Sequence, residues 1–123
     1  MGKKEAVIEQ YLVIQIKKLG GECYKFKSPL RKGVPDRLCI LPYGILFFVE
    51  CKTDKGVVSK LQTIAFNKLT ELGQKVVIVS SKAQVDTLIN SLLEVIANVI
   101  QKDSDAKRAA RDDNETKLSK TKS

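Results

Sequence analysis

The run Ile45-Leu-Phe-Phe-Val-Glu-Cys-Lys52 constrains this chain more than any other stretch of it. It is apolar at both parities as far as Val49, so a strand made from it must be covered on both faces. That makes it a central strand, with a neighbour on each edge. Upstream, Pro42-Tyr-Gly44 separates it from a second strand, Asp36 to Leu41, as a three-residue hairpin loop with Gly44 where a left-handed conformation is needed. Downstream, Ser59 opens a helix that runs to about Leu72 and closes at Gly73, and Lys75 to Ser80 is a buried strand. A strand–helix–strand crossover makes its two strands parallel. Before the hairpin, Cys23 to Lys27 is a short strand. Glu5 to Leu19 is a helix carrying Ile8, Leu12, Ile16 and Leu19 at helical spacing and ending at Gly20-Gly21. Ser81 caps a last helix to about Ile100, striped by Val85, Leu88, Leu92, Ile96 and Val99. The order αβββαβα predicts an α/β fold: a mixed four-stranded sheet flanked by helices, with a further helix at the C-terminus.

Composition narrows what such a fold can do. The chain has 123 residues, 43% of them hydrophobic, which suits one domain with a real core. Residues 1–102 are read as that domain. Residues 103–123 are read as a charged, mobile tail, with continuation of the helix as the alternative. The tail holds six bases and five acids, so the body keeps nearly all of the net charge of +8. Such an excess points to a polyanionic partner. Histidine is absent, which excludes Ser-His-Asp and Cys-His catalysis and His-ligated zinc. Cys23, Cys39 and Cys51 are odd in number and lack CxxC spacing, so they read as buried apolar residues in a reducing cytoplasm. No apolar run approaches the roughly 20 residues of a spanning helix, the N-terminus lacks a signal-peptide core, and no membrane association is expected.

Three carboxylates stand out. If Leu41 pairs with Ile45 across the hairpin loop, Asp36 falls opposite Glu50, with Cβ atoms roughly 4.5–5.5 Å apart. Like charges so placed repel, unless a cation lies between them or one carboxyl is protonated. Lys52, two residues on, shares their face. Oxygen ligands from two carboxylates, completed by water, suit Mg²⁺ or Mn²⁺. Glu9 borders the apolar stripe of the first helix, and periodicity alone leaves it either a site residue or a boundary glutamate reaching water. Gln62 follows Ser59 at capping-box spacing, so the local reading favours a cap. Lys25, Lys27, Arg31, Lys32 and Arg37 form a basic run leading into Asp36, a candidate track for a phosphate backbone. Together these residues point to metal-assisted phosphodiester hydrolysis, with Lys52 beside the attacking water or the developing charge.

The same residues carry a resemblance. Gly33-Val-Pro-Asp36, then Val49-Glu50-Cys51-Lys52, then Gln62 in the next helix is similar to the VRR-NUC family of the PD-(D/E)XK nucleases. Ile8-Glu9-Gln10-Tyr11-Leu12 with Gly20-Gly21, and Ser28-Pro29 before Arg31-Lys32, resemble its short stand-alone phage-type members, and the likeness spans roughly Glu5 to Ser81. The resemblance implies a restriction-endonuclease-like αβββαβ core. It implies that Asp36, Glu50 and the main-chain carbonyl of Cys51 hold the metal, and that Glu9 reaches it directly or through water. It further implies that Lys52 acts on the nucleophilic water, that Gln62 supports the lysine, and that Ser28 joins the DNA-contacting loop.

The expected function is therefore a Mg²⁺- or Mn²⁺-dependent DNA endonuclease, selective for branched or four-way-junction DNA, needing no organic cofactor. It is expected in the cytoplasm, the host's if phage-encoded. A homodimer is expected too, because Ile89, Leu93 and Ile100 give the last helix apolar area beyond one packing face. The alternatives are a restriction-type nuclease, for which the chain has little base-reading material, and a DNA-binding or scaffolding protein of weak activity. Intact Asp36, Glu50 and Lys52 argue against the second.

Overall fold

The computed structural model describes residues 2–53 and 55–122, with side chains described as far as residue 116; Met1, Asp54 and Ser123, which fall within the ranges assigned above, lie outside them. The elements are α1 (Lys3–Lys18), β1 (Glu22–Lys25), β2 (Arg37–Leu41), one 3₁₀ turn (Pro42–Gly44), β3 (Ile45–Cys51), α2 (Lys60–Glu71), β4 (Val76–Val79) and α3 (Lys82–Lys122). The sheet order is β1-β2-β3-β4. Both β1/β2 and β2/β3 pair antiparallel, while β3/β4 pairs parallel, as the crossover through α2 requires. The sheet is the mixed one the sequence predicts, and the apolar β3 lies inside it.

The hairpin sets the register. Leu41 pairs with Ile45 and Arg37 with Val49, so one further step places Asp36 beside Glu50. Two residues of the loop are left-handed, not Gly44 alone: Tyr43 has φ 68° and Gly44 φ 73°. Alternation then divides the sheet. One face carries Cys23, Cys39, Leu41, Phe47, Val49 and Cys51, all buried, and α1 brings Ile8, Leu12 and Ile16 to the core. The cysteines are free and buried, as expected, with the Cys39 thiol donating to Cys23 Sγ at 3.5 Å. The other face carries Phe48 and Glu50, and Phe26 packs its ring 5.4 Å from that of Phe48. From α2, Phe66 is buried.

Packing divides the chain into residues 1–89 and residues 90–123. The helix α3 does not stop near Ile100 but continues to Lys122, 41 residues in all. The sequence reading ended it where the apolar stripe ends. Yet a helix needs no stripe to continue, only the absence of Gly and Pro and a supply of Ala, Lys, Arg and Gln. Pairs four apart add to this, Lys107 with Asp103 at 3.1 Å and Gln101 with Asp105 at 2.9 Å. By length and composition alone, one window within Lys82–Thr116 is apolar enough to cross a membrane, contrary to the expectation above. The window belongs to an amphipathic helix, because Asp86, Asn90, Glu94 and Asn98 recur every four residues as a polar stripe.

Candidate active site

The site forms where β2 begins and β3 ends, on the α2 side of the sheet. Pro35 is fully buried and Asp36 follows it, its carbonyl accepting from Phe26 N at 2.8 Å. Asp36 and Glu50 bind across the two strands through the main chain. Asp36 N donates to Glu50 Oε1 at 3.2 Å, and Cys51 N donates to Asp36 Oδ2 at 3.1 Å. Lys52 Nζ lies 3.3 Å from Glu50 Oε2. The expected cluster of Asp36, Glu50 and Lys52 is therefore present, and Glu50 is only 3% exposed.

Burial dominates its electrostatics. Desolvation pushes the Glu50 carboxyl above its ordinary pKa, and the charge of Asp36 pushes the same way, while Lys52 pulls it down. Asp36 is also raised, again first by desolvation, with the Cys51 N–H opposing it and the Glu9 charge adding to it. Two carboxylates held together in a dry place favour a proton or a cation. Burial also pushes the Cys51 thiol up to about 12, so it stays a neutral packing group.

Gln62 caps α2, as its spacing predicts, and its side chain also reaches Glu50. Its Oε1 accepts from Ser59 N at 2.9 Å and its main-chain N donates to Ser59 Oγ at 3.1 Å, a complete capping box at the start of α2. The remaining end, Nε2, donates to Glu50 Oε2 at 2.9 Å. The support that the resemblance assigns to Lys52 thus runs through Glu50, since lysine and amide meet on the same carboxylate oxygen.

The structure brings Arg37 and Glu9 together. Arg37 does not join the exposed basic track. Its Nε donates to Glu9 Oε1 at 2.6 Å, and one terminal nitrogen donates to the Cys23 carbonyl at 3.1 Å. Glu9, 3% exposed, is accordingly held by Arg37 and makes no hydrogen bond to Asp36 or Glu50, though its charge reaches Asp36. Parity is the signal that could have shown this. Arg37 stands opposite Val49, on the face covered by α1, one step out of phase with Asp36. Among the described residues, no group of three or more His, Cys, Asp or Glu side chains is disposed to hold a metal. Among the described residues, the carboxylates that meet at one point are Asp36 and Glu50.

The rest of the basic run is open to solvent. Lys25, Lys27, Arg31 and Lys32 are exposed, and Ser28 is half-buried. A concavity of about 420 Å³ joins this loop to Asp36, lined among others by Phe26, Lys27, Ser28, Arg31 and Lys32. The signal that sequence reading missed here is Gly33, with φ +88°. A Cβ on it would lie 2.6 Å from the Leu61 carbonyl and 2.8 Å from Gln62 N, so the loop rests directly on the first turn of α2.

The chain thus combines a mixed sheet with a carboxylate pair, a lysine and an amide, and Asp36 of that group lines the basic concavity. No family model matches the chain. One relative, "Putative nuclease p44" of Acyrthosiphon pisum secondary endosymbiont phage 1, is 43% identical over 79 residues, covering 64% of this chain and 85% of that protein. A solved structure described as a "VRR_NUC domain" is 33% identical with a TM-score of 0.69, covering 72% of this chain and 97% of that one. The chain belongs to the VRR-NUC family of nucleases, in its phage type.

Proposed function

We propose that this nuclease is a divalent-metal-dependent endonuclease cutting branched DNA, with Asp36, Glu50 and Lys52 at its centre. The observation that carries the reading is the convergence of these three with Gln62, with Asp36 lining a basic concavity. The donor set fits the metal. The buried Glu50 and the half-buried Asp36, both raised by desolvation and Glu50 also by its neighbour, offer hard oxygens in a place where a cation offsets their repulsion. The main-chain carbonyl of Cys51 is the third proposed donor, and water completes the shell. Mg²⁺ or Mn²⁺ held there supplies a Lewis acid that polarises the phosphoryl oxygen and acidifies a water.

The chain's own groups do the rest. Gln62 fixes Glu50 by donating to Oε2, which leaves that carboxylate one orientation. Lys52, against the same oxygen, is placed to orient the attacking water and to balance charge as the phosphorus becomes five-coordinate. Lys25, Lys27, Ser28, Arg31 and Lys32 hold the backbone phosphates leading to Asp36. Glu9 acts at one remove, by adding negative potential at Asp36 and by locking Arg37.

A four-way junction presents two related strands, which a two-fold dimer would meet with two identical clefts. Exposure of Leu93 and Ile100 on α3 supports self-association. The test is to incubate the purified protein with linear, flapped and four-way-junction DNA, with Mg²⁺, Mn²⁺ or chelator, across a salt series. Junction cleavage faster than linear, lost in chelator and weakening steeply with salt, is the expected result. Equal rates on linear and junction DNA contradict the substrate assignment. A strictly monomeric species in sedimentation at micromolar concentration contradicts the dimer.

A further inference from the structure

Leu30 is 95% exposed, more than any other large apolar side chain among the described residues. A lone exposed leucine needs no explanation in general. This one is held out. Pro29 fixes its own φ, and Arg31 N donates to Ser28 Oγ at 3.3 Å, closing the turn Ser28-Pro29-Leu30-Arg31 around it. An apolar seat lies nearby and is not used. Leu61 and Ile64 on α2 line a cavity of about 490 Å³ with Arg31 and Lys32, and Leu30 is not in its lining. On the other side, Pro29 and Arg31 both line the concavity that reaches Asp36, again without Leu30. An apolar tip thus stands between exposed Lys27, Arg31 and Lys32, beside the cleft of the carboxylates.

We infer that Leu30 is a wedge that enters an opened base step of the DNA, and that it sets the preference for branched over continuous duplex. The inference rests on the proposed cleavage of DNA at Asp36 and Glu50. The basic side chains contact phosphates and carry no information about base stacking. An apolar side chain pushed between base pairs does, because it replaces base–base contact. In continuous duplex the wedge must break stacking that is intact. At a branch point that stacking is already lost, so the same side chain finds its seat open. The charge around Leu30 selects a polyanion, and its shape and polarity select the faces of bases within it.

The experiment compares wild type, Leu30→Ala and Leu30→Met on a linear duplex and a four-way junction carrying 2-aminopurine beside the branch. Binding is followed by fluorescence in chelator and cleavage afterwards with Mn²⁺. Wild type and Leu30→Met should raise the junction's fluorescence, which reports unstacking, while Leu30→Ala should not. Leu30→Ala should lose roughly tenfold of the junction preference in kcat/KM and keep its affinity for linear duplex within about twofold. Its melting temperature should match wild type, since the side chain packs on nothing. Unchanged fluorescence and unchanged preference in Leu30→Ala overturn the wedge while leaving cleavage in place. Failure of wild type to bind or cut any DNA overturns the cleavage reading and the wedge with it. Loss of binding to phosphatidylserine-containing vesicles in Leu30→Ala, with DNA behaviour unaltered, assigns the leucine to a lipid surface and also overturns it.

Discussion

Asp36 and Glu50 keep their carboxylates together through two main-chain donors, in surroundings that favour protonation, and this has a consequence for stability. Both carboxyls are raised from ordinary values of 3.8 and 4.5, so the folded state binds their protons more tightly than the unfolded state does. The resulting stability is fully present below the ordinary values and is lost as pH rises through the raised ones. Without metal, the melting temperature should therefore fall between acid and neutral pH on account of this pair. Asp36→Asn should flatten that fall, and scanning calorimetry in chelator checks it; an identical profile for the variant contradicts the raised pair. In the proposed mechanism Lys52 contributes to rate. Lys52→Ala should still bind DNA but cleave about 10²–10⁴ times more slowly, measured by single-turnover kinetics. The two duties of Gln62 separate by substitution. Ser59→Ala removes the cap at a cost of about 1 kcal/mol and leaves Glu50 untouched, so activity per folded molecule should hold. Gln62→Ala should lose comparable stability and also slow cleavage, read from denaturant melts and initial rates together. At this scale the sequence made the carboxylate pair legible, because a hairpin register is simple arithmetic. It did not show Arg37 turning inward to Glu9. The basic run was read as one stretch of charge, although alternation puts its last member on the other face.

Helix α2 links the basic loop to the carboxylates, because its first turn touches both. Gln62 caps the turn and holds Glu50, and Gly33 lies against the backbone of Leu61 and Gln62. Gly33→Ala puts a methyl where main-chain atoms already lie and demands a left-handed residue with a side chain. It should lift the loop off α2, lowering the melting temperature and weakening DNA affinity at once. Fluorescence anisotropy with thermal melts checks this, and a loss in only one of the two argues against the shared contact. Element order and strand pairing were readable in advance, since Pro and Gly punctuate the chain and β3 is apolar on both faces. The close approach at Gly33 was not, because it depends on a backbone that meets the loop only after folding. The end of α3 was missed for another reason: an apolar stripe shows where a helix is covered, whereas Lys107–Asp103 and its neighbours show where one persists in water.

At the scale of the whole molecule, a net charge of +8 and the exposed Lys25, Lys27, Arg31 and Lys32 accompany one pair of carboxylates, the arrangement on which the proposed DNA cleavage rests. Family and fold were legible from motif spacing in the right structural order, and a 33% identical solved structure with a TM-score of 0.69 bears them out. Assembly and substrate shape were less legible, because they depend on surfaces that no motif encodes. The claim on which the account stands is that Asp36 and Glu50 together hold the divalent ion that cleavage needs. It is tested most directly by the Mn²⁺ dependence of junction cleavage for wild type, Asp36→Ala and Glu50→Ala, each shown folded by its melting transition. Wild type should cut with a saturable dependence on Mn²⁺ and stop in chelator, while neither variant should cut at any Mn²⁺ concentration. Cleavage by either variant at near the wild-type rate, or wild-type cleavage that persists in chelator, would contradict it.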